Sequence, residues 1–131
     1  MKKRLLAMAA MIMAVSCLFA CGKTDSSKDS SSKTDKTYKV GIVQYVDDAS
    51  LNQIQKAIQT EFDAQGKELG VTFDYKDYTF NGQADQTTLS QIMADLVSDE
   101  VDIIIPIATP TAVVAQSAAE DKQIPIVFSA V

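Results

Sequence analysis

The sequence contains no histidine and no tryptophan, and has two cysteines and three prolines in 131 residues. Without histidine, imidazole acid–base chemistry, a Ser-His-Asp arrangement and His-ligated zinc are excluded. No G-x-x-x-x-G-K-[ST] or G-x-G-x-x-G run occurs, so a glycine-rich phosphate cradle has no support either. Asp47 and Asp48 are adjacent acids in a loop-like stretch, a pattern that serves solvation more often than proton transfer. No catalytic residue, metal ligand set or cofactor follows from the sequence. Nor is there an apolar run of the ~20 residues that a membrane span needs.

What is present starts with a short basic segment, Met1-Lys2-Lys3-Arg4, followed by an apolar run from Leu5 to Ala20. Basic start, short apolar run and small residue before a break are the marks of an export signal over residues 1–20; a short anchor or buried helix is the alternative. Leu18-Phe19-Ala20-Cys21 resembles the lipobox of bacterial lipoproteins, which makes Cys21 the expected lipidated residue and Cys17 a weaker second candidate. With cleavage before Cys21, no pair of cysteines remains for a disulfide. Residues 22–37 (GKTDSSKDSSSKTDKT) carry no large apolar side chain and cannot offset ordering entropy, so residues 21–37 read as lipidated Cys and solvated tether. Loss of residues 1–20 removes three of the 12 basic side chains; 9 against 17 acidic ones leaves a balance of −8. That charge argues against nucleic acid as a partner, because phosphate neutralisation needs clustered Lys and Arg.

Residues 38–131 are the foldable part, enough for one small core. Lys39–Val46 is β-branched and strand-like. Ser50-Leu51-Asn52-Gln53 has the spacing of a capping box, and Leu51, Ile54, Ile58, Phe62 and Leu69 continue as a helical stripe that ends at Gly70. Val71, Phe73 and Tyr75 alternate as a strand, Asn81-Gly82 marks a turn, and Leu89, Ile92, Met93, Leu96 and Val97 form a second stripe. Val101–Ala108 is the most apolar strand, with Pro106 expected near its end. Thr111–Ala119 reads as a helix and Ile124–Phe128 as a last strand. The order β-α-β-α-β-α-β predicts an α/β fold, a parallel sheet with helices on both faces.

Ligands in such sheets bind beyond the carboxyl ends of the strands. Those ends carry Gln44-Tyr45, Phe80–Gln83, Ala108–Thr111 and Ser129-Ala130. At Thr109-Pro110-Thr111 the spacing places Thr109 as N-cap and Pro110 at the first helical position, leaving the N–H groups of Thr111 and Ala112 free. Two readings fit: an ordinary helix start, or a cradle for an anion at the positive end of the helix.

The stretches VGIVQ (Val40–Gln44), ADQTTLSQI (Ala84–Ile92), LVSDEVDIIIPIATPTA (Leu96–Ala112) and IPIVFSAV (Ile124–Val131) resemble the first lobe of ABC-importer substrate-binding proteins, in particular the tryptophan/tyrosine type. The resemblance implies a periplasmic-binding-protein-like lobe over residues 38–131, with an amino-acid ligand held in an interlobe cleft and delivered to a permease, on a lipid anchor outside the cell membrane. It implies ligand contacts at Gln44, Tyr45, Asn81, Gln83, Thr109, Pro110, Thr111, Ala112, Ser129 and Ala130, with Thr109–Ala112 at the ligand carboxylate. His-Pro, common in that family after the first strand, is replaced here by Tyr45-Val46-Asp47-Asp48-Ala49. The stop at Val131, where the family crosses to its second lobe, reads as a truncation. An extracytoplasmic sensor is the alternative function, and an enzyme of similar topology a third.

Overall fold

The computed structural model describes residues 36–131; the expected signal, Cys21 and nearly all of the tether lie outside the described residues. Strand β1 (Thr37–Gln44) begins at the last residue assigned to the tether and forms the centre of the sheet. Its backbone groups alternate in direction. Odd residues face β4 (Ile103–Ile107), which pairs in parallel from Val40↔Ile103 to Gln44↔Ile107. Even residues face two short parallel segments, β2 (Thr72–Asp74) and β3 (Thr79–Asn81), which share the other edge of β1.

The second strand was expected as one run over 71–75. It ends instead at Asp74, because Tyr75 leaves the ladder and turns into the core, where its hydroxyl donates to Asp63 Oδ1 at 2.8 Å. Burial, and then the Asp63 carboxylate, push the Tyr75 hydroxyl above its usual value. The chain returns through bonds to the Tyr75 carbonyl from Tyr78 N–H and Thr79 Oγ1, and Tyr78 O receives the Ile42 N–H.

Helix α1 (Ala49–Leu69) covers one face. Leu51, Ile54, Ile58 and Phe62 meet Val40, Ile42, Tyr75, Ile105 and Ile107 there. Helices α2 (Gln86–Ser98) and α3 (Thr109–Ala119) cover the other, enclosing Val43, Leu89, Met93, Leu96, Ile104 and Ala115. Each large aliphatic side chain buried in this way contributes about 2 kcal/mol relative to exposure. The layering is the α/β arrangement the sequence predicts. Gly70 ends α1 at φ 68°, a left-handed position that glycine takes without cost.

The last strand is less regular than expected. Residues 124–129 run parallel to β4 through two isolated bridges, Ile104↔Ile126 and Ile107↔Ser129. Ile104 N–H reaches Pro125 O and Val127 N–H reaches Ile104 O; further on, Ser129 N–H reaches Pro106 O and Ala108 N–H reaches Ser129 O. The next bond of a parallel ladder would run from residue 106 to the Val127 carbonyl. Pro106 has no N–H to give, and the ladder is interrupted there. The strand order is therefore β2/β3, β1, β4, then 124–129. It reverses between β1 and β4, the place where open α/β sheets bind ligands.

Candidate functional site

Four loops meet at the carboxyl edge, stitched by backbone bonds. Gly82 N–H donates to Gln44 O at 2.8 Å, Ala84 N–H to Tyr45 O at 2.9 Å, and Ala108 N–H to Ser129 O at 3.1 Å. The register Gln44↔Ile107 joins the two pairs.

At the end of β1, Gln44 points toward α1 and is 4 % exposed. Its Nε2 donates to Asn52 Oδ1 at 2.9 Å, and Asn52 Nδ2 donates to Asp47 Oδ1 at 2.7 Å. Gln44 Oε1 is buried with no donor. Helix α1 is capped by Asp48, whose Oδ1 accepts from Ser50 N–H at 2.8 Å and Leu51 N–H at 3.3 Å. This corrects the capping box expected at Ser50: Ser50 already lies inside the helix, and a carboxylate two residues earlier takes the orphan donors. Tyr45 is half-buried, packed against the core beneath α2, with its hydroxyl 3.4 Å from Ala84 O.

The loop after β3 is a tight turn. Asn81 Oδ1 accepts the Gln83 N–H at 2.7 Å, and Asp85 N–H closes onto Gly82 O at 2.9 Å. Gln83 and Ala84 both have positive φ, 54° and 56°, as a turn of the I′ kind demands. A Cβ at Gly82 would lie 2.3 Å from Leu89 Cδ2, so no side chain fits there. The turn delivers Asp85 to the start of α2, where Oδ1 accepts the Thr88 N–H at 2.7 Å. That bond, first from the Thr88 backbone, holds the Asp85 carboxyl below its usual value.

The β4–α3 junction is built differently. The N-cap is Ala108, with φ 81° and ψ 151° and no side chain to cap with. Thr109 and Pro110 occupy the first two helical positions, one place later than expected. The geometry of Ala108 is held by its N–H bond to Ser129 and by its carbonyl, which takes the Ala112 N–H at 3.1 Å. A non-glycine residue in such a region stores about 1–3 kcal/mol. The free donors are accordingly those of Thr109 and Thr111, not Thr111 and Ala112: among the described residues, no hydrogen bond takes the N–H of either. Thr111 is fully buried, and its Oγ1 also lacks a partner.

All ten residues singled out in the sequence lie along this one edge. Gln44 and Thr111 are buried, Ala112 is turned inward at 6 % exposed, and Gln83, Thr109, Pro110 and Ala130 are open to solvent. Asn52, Asp47 and Ala108 were not among them. Asn52 belongs to a helix face that reads as solvated, and nothing local marks Ala108 for an unusual backbone. A concavity of about 610 Å³ lies elsewhere, between the end of α1 and β2, lined by residues such as Phe62, Gly66 and Thr72. The buried side-chain atoms without a partner among the described residues, Gln44 Oε1 and Thr111 Oγ1, are not in its lining.

Known proteins share this fold. The chain is 35% identical to the Tyrosine-binding protein of Clostridioides difficile (strain R20291), over 99% of its own length and 38% of that protein's. It superposes on an ABC domain in complex with L-Trp from Streptococcus pneumonia with a TM-score of 0.59 at 30% identity, covering 71% of this chain and 30% of that one. A conserved domain protein from Vibrio cholerae gives a TM-score of 0.60 at 32% identity, with the same coverage. The chain thus spans 38% or less of the length of these relatives. A family model described as ABC transporter substrate binding protein matches residues 39–131. The chain belongs to the ABC transporter substrate-binding protein family.

Proposed function

We propose that residues 38–131 form the first lobe of an extracytoplasmic binding protein that captures an aromatic amino acid for an ABC permease. The ligand lies against the carboxyl edge, its carboxylate on the free N–H groups of Thr109 and Thr111 and the positive end of α3. Gln44, Asn81 and Ser129 border that position. A second lobe, supplied by polypeptide of the kind that makes up the rest of the longer relatives, closes over the ligand. Cys21 carries the lipid that holds the protein on the outer face of the cell membrane.

The observation that carries this reading is the uncapped start of α3, at the point where the strand order reverses. The relatives named for tyrosine and solved with L-Trp support the choice of ligand. Calorimetric titration of the full-length gene product with L-tyrosine and L-tryptophan tests it. Thr109→Asp, which sets a carboxylate at the position meant for the ligand's, should weaken binding by at least about tenfold, by like-charge repulsion and competition for the donors. It should not lower the melting temperature, since an acid at a helix start is favourable. No binding of any amino acid by the wild type would sink the reading. The anchor is tested separately, by loss of labelled fatty acid in Cys21→Ala.

A further inference from the structure

The side chains of Asp47, Asn52 and Gln44 form a chain whose direction is set at one end. A carboxylate accepts hydrogen bonds and donates none. Asn52, 2.7 Å from Asp47, must therefore turn Nδ2 toward it, which leaves Oδ1 facing Gln44. Gln44 must in turn donate Nε2, at 2.9 Å, and the atom left over is Oε1. The two ends of an amide have nearly the same shape and opposite chemistry. Without Asp47, an Asn52–Gln44 pair could be hydrogen-bonded in either sense, and Gln44 would offer donor and acceptor alike.

We infer that Asp47 and Asn52 are positioning residues that fix Gln44 as an acceptor, so that its buried, unpartnered Oε1 receives the ammonium group of an α-amino acid. This rests on the binding reading above. An α-amino acid carries its carboxylate and ammonium on one carbon, so their receivers must sit side by side. Gln44 ends β1 and pairs in register with Ile107, two residues before Thr109 on the adjacent strand, and adjacent strands lie about 4.8 Å apart. The start of α3 offers donors, and the end of β1 offers an acceptor. Oε1 is covered by its neighbours, so the contact forms with a side-chain shift at the β1–α1 loop. The arrangement selects zwitterions over carboxylic acids that lack the amino group.

The test measures, on the full-length gene product, affinity for L-tyrosine and for its desamino analogue. The wild type should prefer tyrosine by on the order of tenfold or more, the scale of one hydrogen bond to a charged group. Asn52→Leu should reduce that preference to about threefold or less, with affinity for the analogue unchanged, and Asp47→Asn should reduce it partway. The double change Asp47→Asn/Asn52→Asp should restore it, because a carboxylate at position 52 again accepts from Gln44. A merely structural role would not give that rescue. An unchanged preference in Asn52→Leu, or a double variant no better than Asp47→Asn alone, overturns the inference while leaving binding intact. Failure of the wild type to bind either compound overturns the binding reading and this inference with it. The backbone amide spectrum of each variant checks that it is folded.

Discussion

The three α-helices among the described residues begin in two different ways. Helices α1 and α2 start at Asp48 and Asp85, and each aspartate folds its own carboxylate over the exposed N–H groups. Helix α3 starts at Ala108, which has nothing to fold over, and the N–H groups of Thr109 and Thr111 have no partner among the described residues. An aspartate cap is in effect a tethered anion, so the first two helix starts are already occupied. The third has the same electrostatics and no internal occupant. Whether a helix start can serve a ligand depends less on its dipole, which every helix has, than on whether the chain has filled it.

The comparison can be broken at several points. The largest effect is expected from Gly82→Ala, in the turn that delivers Asp85. The new methyl group would press on buried Leu89, and a loss of about 2–3 kcal/mol in chemical denaturation is expected. A variant as stable as the wild type would mean that the turn holds α2 less rigidly than its geometry implies. Asp48→Ala, which empties an occupied start, should cost about 1 kcal/mol. The converse change, at the start that is already empty, is Ala108→Gly. Glycine tolerates φ 81°, and relief of strain, less the added freedom of the unfolded chain, should leave a net gain of up to about 1 kcal/mol. Opposite signs for these two changes would sharpen the contrast; equal signs would dissolve it.

The smallest effect concerns pH. The hydrogen bonds from Thr88 lower the folded-state pKa of Asp85 below its unfolded value. Its contribution is then complete above the ordinary aspartate range and disappears as pH falls through the folded value. Asp85→Asn keeps an acceptor at the cap but does not titrate. The stability advantage of the wild type over this variant should therefore shrink between about pH 6 and about pH 3. A difference that stays constant across that range would show that the charge of Asp85 contributes nothing at α2.

Much of the architecture was legible in the residues because it follows from periodicity. Leu89-Met93-Leu96 is buried and Leu51-Ile54-Ile58-Phe62 is half-buried against the sheet as their spacing requires, whereas Leu69, expected to end the first stripe, is 59% exposed. Features set by distant partners were not legible. Ser50 has the right spacing for a cap, but Asp48 stands closer to the open donors. Val71, Phe73 and Tyr75 alternate like one strand, yet Tyr75 leaves it for Asp63 on α1. Thr109 looks like a cap, but the bond between Ala108 and Ser129 fixes the backbone one residue earlier. At the site, sequence reasoning found the edge and the helix start. It missed Asn52, which joins the edge only through a hydrogen bond to a strand residue eight positions away.

The break at Pro106 bears on how this edge carries load. The segment 124–129 is fastened to β4 by two pairs of bonds, like a plank held by two rivets with bare wood between them. The pair nearer the site, Ser129 to Pro106 and Ala108 to Ser129, does not share a continuous ladder with the pair at Ile104. Ser129 is thus registered against Ala108 by its own pair of hydrogen bonds, separate from the pair that fixes Pro125 and Val127 at Ile104. A proline that looks like a flaw in the most apolar strand divides the fastening of the last segment into two clamps, one at the rim of the sheet and one at its far end.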